Sequence, residues 1–212
     1  MHIIAIGGPS CAGKTALATE LARLLPAPVL PLDAYYFDLA DLPLDDRGRR
    51  NFDIPESLDH DLLLANLTGL MNGRAADRPV YDFRTHTRTS SVEHLTPTPF
   101  LVLEGLFALY WDDIRSLLGT KVFVDGRDSV CLTRRRHRDV AERGRTLESV
   151  LSQYEDTVRP MAELYVLPSR RFADVIVSGE GPLQASAAAV LARVRRHLGA
   201  VENSSAPAPI KI

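Results

Sequence analysis

The sequence predicts an α/β fold, a parallel sheet flanked by helices, and three observations carry that expectation. Short apolar runs recur along the chain without polar alternation, as strands covered on both faces do. Segments with apolar residues at helical spacing separate them. Each run ends on glycine or a polar side chain, and in such sheets ligands gather where the strands end.

Taken in order, 3–6 is the first strand and ends in glycines. A helix follows over 14–25, with Leu17, Leu21, Leu24 and Leu25 on one face, stopped by Pro26 and Pro28. Residues 29–32, 100–103, 121–124 and 174–177 supply four further strands. An insertion of about 40–98 separates the second strand from the third; within it 57–70 reads as a helix and 79–92 as one or two hairpins. An Arg-rich helix over 127–142 forms the body of a lid at about 127–146, and another helix runs over 147–165 through Pro160. The last helix presents Leu183, Ala187, Val190, Leu191, Val194 and Leu198 on one face. The chain therefore reads as one domain over 1–200 followed by a disordered Ser/Ala/Pro-rich tail at 201–212.

Composition narrows the function classes. The 212 residues carry a net charge of -2, with 45% apolar and 25% charged side chains, which argues against wholesale disorder and against a globally basic nucleic-acid binder. Two cysteines, Cys11 and Cys131, make neither a disulfide framework nor a zinc cluster, so a reducing cytoplasm is expected. No membrane partner is expected, because no apolar run approaches the ~20 residues that a span requires. Only Lys14, Lys121 and Lys211 are lysines, against 22 arginines.

Lys14 closes the run Gly8-Pro9-Ser10-Cys11-Ala12-Gly13-Lys14-Thr15, which has the spacing of a phosphate-binding P-loop. It sits between a buried strand and a helix, where successive backbone N–H groups and the helix N-terminus face an anion. The fold expectation sharpens accordingly to a sheet of the P-loop NTPase type. Lys14 would neutralise β- and γ-phosphate oxygens, and the Thr15 hydroxyl would face Mg²⁺. Cys11 is either activated as a thiolate by the helix N-terminus or simply small enough to fit.

A P-loop alone does not separate a kinase from a switch. Asp33 follows the second strand, where a carboxylate could take a hydroxyl proton as that hydroxyl attacks the γ-phosphate; the alternative is an Asp capping a loop. Glu104 ends an otherwise apolar strand, and burying it calls for a cation such as Mg²⁺. The aromatic residues near His86 read equally well as plain packing.

These residues resemble the uridine kinases (uridine/cytidine kinases) of the P-loop kinase fold. Asp33-Ala34-Tyr35-Tyr36, Leu42-Pro43-Leu44, Asn51-Phe52-Asp53, Tyr81-Asp82-Phe83 with His86 and Arg88, and Leu103-Glu104-Gly105 occur in that family's order. Arg134-Arg135, Arg138-Asp139, Glu142-Arg143-Gly144-Arg145, Gln153-Tyr154 and Thr157-Val158-Arg159-Pro160 continue it, so the likeness spans roughly 1–180. Ile54 follows Asp53 where that family commonly has His. The resemblance implies ATP-dependent phosphorylation of the 5′-hydroxyl of uridine and cytidine in pyrimidine salvage, by a homo-oligomer. It implies Asp33 as the general base, with Thr15, Asp33 and Glu104 around Mg²⁺. By the same likeness Asp53 and Arg145 grip the ribose hydroxyls, Tyr81 and His86 read the pyrimidine edge, Phe52 and Phe83 wall the base, and Gln153 completes the nucleoside site.

Arg134, Arg135, Arg136, Arg138, Arg143 and Arg145 outnumber Asp139 and Glu142 in the lid. A solvated helix face and a nucleic-acid patch compete with a lid closing over ATP, but the run lacks interleaved aromatics. The resemblance puts Arg135, Arg138 and Arg143 beside the phosphates and leaves Arg134 and Arg136 facing water. Two rivals remain: a P-loop kinase for another small alcohol, similar to phosphoribulokinase or pantothenate kinase, and a regulatory or nucleic-acid-stimulated NTPase. Tyr81 and His86 argue against the first, and the missing Asn-Lys-x-Asp guanine signature against a GTPase switch.

Overall fold

The structure is a computed structural model and describes residues 1–204. β1 (His2–Gly7) leads through the glycine-rich turn into α1 (Lys14–Leu24), then β2 (Val29–Pro31) and a 3-10 turn at Leu32–Tyr35. The insertion holds α2 (Leu44–Arg47), α3 (His60–Met71) and one hairpin, β3 (Ala76–Asp82) with β4 (Thr87–Leu95). β5 (Phe100–Glu104), α4 (Asp112–Leu117) and β6 (Thr120–Asp125) return the chain to the sheet. The lid region is α5 (Asp128–Ala141) and α6 (Leu147–Gln153); α7 (Arg159–Met161), β7 (Val175–Ser178) and α8 (Leu183–Ser204) complete the chain.

The five long-range strands pair in parallel in the order β2-β5-β1-β6-β7, with His2 beside Phe100 and Ile4 beside Thr120. Pleating gives β1 two apolar faces. Ile3 and Ala5 join one cluster with Leu63, Leu67, Tyr35 and Tyr81 from the insertion. Ile4 and Ile6 join the other, with Leu17 and Leu21 of α1 and Val190 and Val194 of α8. Apolar packing on both faces is what makes these strands read as unbroken apolar runs.

Several expected bounds move, each for a local reason. The helix expected over 57–70 begins at His60, because the Asp59 side chain accepts from Leu62 N and caps it while Pro55–Ser57 turns as a separate 3-10 segment. The helix expected over 147–165 divides: π turns at Tyr154–Val158 and Ala162–Val166 flank α7. Pro160 has no N–H to donate and its ring crowds the preceding turn, so the backbone widens there. The extended stretch expected at 79–92 is a single hairpin reaching 76–95, with its register shifting between Pro79 and Tyr81. α8 continues to Ser204, and of the expected tail at 201–212 the part from 205 lies outside the described residues.

Candidate active site

The phosphate loop leaves β1, the middle strand of the sheet, between β5 and β6; the chain goes out to β2 on one side and later to β6 and β7 on the other. At such a reversal the two connections part and leave a crevice at the strand ends. Gly8 has φ 141°, and a Cβ there would sit 2.4 Å from the Val124 carbonyl oxygen, so only glycine lets the loop lie this close to β6. Gly13, at φ 110°, turns the chain into α1. Cys11 also holds a positive φ, 61°, a conformation that costs a non-glycine residue about 1–3 kcal/mol and concentrates at functional sites.

Lys14 opens α1 and is only 8% exposed; its Nζ donates to the Pro9 carbonyl across the loop at 2.7 Å. Burial pushes its pKa down, against the opposing pull of the Glu104 and Asp33 carboxylates. Thr15 Oγ1 donates to Glu104 Oε1 at 3.2 Å. Glu104 ends β5, and burial raises its pKa while Lys14 opposes the rise. Thr15, Glu104 and Asp33 offer only oxygen donors, and among the described residues no group of three or more His, Cys, Asp or Glu is placed to hold a metal. That donor set fits Mg²⁺, which keeps most of its shell for water and phosphate oxygens, and does not fit a caged transition metal.

One cavity of about 510 Å³ brings together nearly all the residues singled out in the sequence. Ser10, Cys11, Gly13, Lys14 and Thr15 of the phosphate loop line it together with Glu104 of β5 and with Arg135, Arg138, Arg143, Arg145 and Gln153 of the lid region. Asp33, Tyr36, Phe52, Asp53, Tyr81, Phe83 and His86 line the rest. Gly8, Pro9 and Ala12 do not line it. Gly8 backs against Val124, Pro9 is met through its carbonyl by Lys14, and Ala12 is fully buried in the core.

Asp33 sits in the 3-10 turn directly after β2. Burial raises the pKa of Glu104, Tyr36, Asp53 and Tyr81, and the negative charge of Asp33 adds to each rise. The aromatic recess is built by contact: Phe52 stacks on His86 at 4.8 Å between centroids, Tyr36 packs edge-on against Phe52 at 5.3 Å, and Tyr81 against Phe83 at 5.3 Å. Burial pushes the Tyr81 hydroxyl up to about 12, and among the described residues that hydroxyl has no hydrogen-bond partner. Burial, then the charges of Arg145 and Arg143, lower the His86 pKa, which favours the uncharged ring. Arg88 fixes the hairpin to the segment after β2, donating to the carbonyls of Tyr36 at 2.9 Å and Tyr35 at 3.1 Å and pairing with Asp59.

The lid adds a contact that the sequence did not predict. Arg134 is exposed, as expected, but it also lines the cavity and donates to the carbonyls of Cys11, Ala12 and Gly179 at 3.3, 3.4 and 2.9 Å. Carbonyl acceptors gathered by folding, not spacing along α5, create that position. Arg136 is exposed, as expected. Arg135 bridges Ser10 Oγ and Gln153 Oε1, each at 3.0 Å, and Arg145 shares the same Gln153 oxygen.

The sequence profile of the Phosphoribulokinase / Uridine kinase family matches residues 3–182. A uridine kinase of Chloroflexus aggregans is 41% identical over 199 residues, covering 92% of this chain and 95% of that protein. One from Shewanella piezotolerans is 41% identical over 203 residues, covering 92% and 96%. Among solved structures, a phosphoribulokinase from Rhodobacter spheroides superposes with a TM-score of 0.63 at 19% identity over 86% of this chain and 73% of that one. A D-glycerate 3-kinase from Cryptococcus neoformans gives 0.57 at 18% identity over 77% and 78%; at these identities both likenesses speak to the fold alone. A profile matched over most of the chain, and relatives this similar from end to end, say what the phosphate loop and its cavity had already narrowed down: the chain belongs to the Phosphoribulokinase / Uridine kinase family.

Proposed function

We propose that the protein is a cytoplasmic uridine kinase that transfers the γ-phosphoryl group of ATP to the 5′-hydroxyl of uridine and cytidine. The observation that carries this reading is one cavity lined by a phosphate loop, by the carboxylate of Asp33 and by an aromatic recess whose Tyr81 hydroxyl lacks a partner among the described residues. A recess of that kind suits a flat heterocycle with polar edges, since a buried donor left unpaired is costly until a ligand meets it. The identity of about 41% with uridine kinases over nearly the whole chain supports the same acceptor.

Asp33 accepts the proton of the 5′-hydroxyl as its oxygen attacks the γ-phosphorus, the bond to the bridging oxygen of ADP breaks, and the nucleoside monophosphate and ADP leave. Lys14, the loop amides, Arg138 and Arg143 stabilise charge on the transferring group. Asp53 and Arg145 hold the ribose diol, a carboxylate and a guanidinium suiting two hydroxyls. Mg²⁺ would be held by Thr15, Glu104 and Asp33 together with phosphate oxygens, and when bound it supplies neutralisation of the β- and γ-phosphates. The lid excludes water, so that ATP is not hydrolysed unproductively.

The test offers purified protein Mg²⁺, radiolabelled ATP and a panel of uridine, cytidine, purine nucleosides, ribulose 5-phosphate, pantothenate and glycerate. Labelled UMP and CMP are expected. Label transferred only to a sugar or sugar acid, or to nothing, overturns the reading.

A further inference from the structure

Asp139 stands on the last turns of α5 and is 0% exposed, yet the roles assigned above leave it unused. Its Oδ1 accepts from Arg138 Nε at 2.8 Å and lies 3.7 Å from Arg143 Nε. Its Oδ2 lies 3.4 Å from Arg135 Nε and 3.9 Å from Arg145 Nη1. Its backbone carbonyl accepts from Arg145 N at 3.1 Å. Four guanidiniums thus surround one carboxylate, and only one of them is bonded at ordinary hydrogen-bond length. Among the described residues, Asp139 Oδ2 and Arg135 Nε make no hydrogen bond at all.

A fully buried carboxylate with an unsatisfied oxygen is a poor way to stabilise a helix, because an apolar side chain would serve there without the desolvation penalty. It is a good way to keep four like charges together. Without a counter-charge, guanidiniums this close repel one another and would turn outward into solvent; with it, they stay in the cavity, and Arg138 and Arg143, which are not tied to Gln153 as Arg135 and Arg145 are, remain loosely enough held to transfer to phosphate oxygens. Burial alone would raise the Asp139 carboxyl, but the guanidiniums of Arg138 and Arg135 outweigh it and keep the group charged. The cluster also joins two halves of the site, since Arg135 donates to Ser10 of the phosphate loop at 3.0 Å while the Arg143 guanidinium lies over the Phe83 ring, 5.1 Å from its centroid.

Building on the kinase reading, we infer that Asp139 is a positioning residue, the anionic hub that assembles the lid arginines before ATP arrives and releases them to the transferring phosphoryl group. The hub predicts a split that mere structural support does not. Removing its charge makes the cavity more positive and so attracts ATP at least as strongly in the ground state. The same change lets the arginines scatter, so the transition state loses its preorganised donors.

The experiment compares wild type, Asp139→Asn and Asp139→Glu by calorimetric titration with a non-hydrolysable ATP analogue and Mg²⁺, and by kcat for UMP formation. For Asp139→Asn, analogue binding unchanged or tighter with kcat down about 10–100-fold is expected. Weaker analogue binding, or a kcat within threefold of wild type, overturns the hub. Should Asp139→Asn fail to fold, Asp139→Glu decides: because it keeps the charge, kcat and analogue binding both within tenfold of wild type uphold the hub, and loss of either beyond tenfold overturns it. If wild type makes no nucleoside monophosphate, the kinase reading fails on its own and the analogue titration still judges Asp139.

Discussion

Replacing Lys14 by Met separates what the loop lysine does for folding from what it does for catalysis. Met has similar length and no charge, so the packing around the aliphatic stem survives. Lost with the ammonium is its 2.7 Å bond to the Pro9 carbonyl, worth about 2 kcal/mol for a charged donor. Lost as well is the cost of keeping a charge 8% exposed, which in protein interiors amounts to roughly several kcal/mol. The two oppose each other, and burial already dominates the lysine's lowered pKa, so the folded state should be no less stable. Catalysis has no such compensation: one preorganised donor to a developing anionic oxygen is worth about 3–4 kcal/mol, a fall of about 10²–10³-fold in kcat/KM. Scanning fluorimetry should therefore give a Tm unchanged to within about 3 °C or raised, given about 2–4 °C per kcal/mol for a chain of this size. A coupled ADP-release assay should record the kinetic loss. A kcat/KM within tenfold of wild type, or a Tm fallen by ten degrees, would refute the reasoning. Lys14→Arg probes shape at constant charge: a planar fork with five donors does not fit a buried loop that offers one carbonyl, and activity as low as that of the Met variant is expected.

Three further outcomes follow from the geometry. Asp33→Asn should lower kcat about 10²–10⁴-fold while the ATP-analogue affinity stays within threefold; an undiminished kcat would remove Asp33 from proton transfer. Burial pushes the Cys131 thiol up to about 11, so iodoacetamide at neutral pH should modify Cys11 in the phosphate loop and abolish analogue binding. Full activity in protein shown by mass spectrometry to be completely modified at Cys11 would contradict this. Finally, burial and then His197 push the His2 imidazole down to about 4 from an ordinary 6.5. The unfolded chain takes up this proton as pH falls below 6.5 and the folded chain only near 4, so stability falls across that window, by about 3 kcal/mol at its lower end. Urea melts between pH 7 and 4.5 should show that slope flattened in His2→Asn, and an equal slope in both proteins would exclude His2 as its source.

What the sequence made legible was whatever local spacing determines. The phosphate loop could be read because backbone geometry demands glycine at Gly8 and Gly13 and chemistry demands a lysine at the head of α1. The strands could be read because burial on both faces leaves unbroken apolar runs. Strand order could not, since His2 pairs with Phe100 across nearly a hundred residues and nothing near either one records it. α4 escaped notice because six residues with one buried side chain, Ile114, make no periodic signal, although Asp112 and Asp113 in its first turn were a faint one. The placement of Asp53, Tyr81 and His86 followed only from resemblance, as aromatic and polar residues in an insertion read equally well as packing. In sequence Asp139 is one of two acids beside six arginines. Its importance comes from being fully buried, which composition does not convey.

The sheet separates two apolar clusters that share no residue. One is built with α1 and α8 behind the phosphate loop, and the other with the insertion around Tyr35, Tyr36 and Tyr81. Substitutions made on opposite sides of such a partition should have nearly additive effects on stability, because they touch no common neighbour. The same partition bears on divergence. A lineage could repack the insertion side to admit a new alcohol while the layer that handles the triphosphate stays untouched, so a change of substrate need not pass through a form unable to hold ATP.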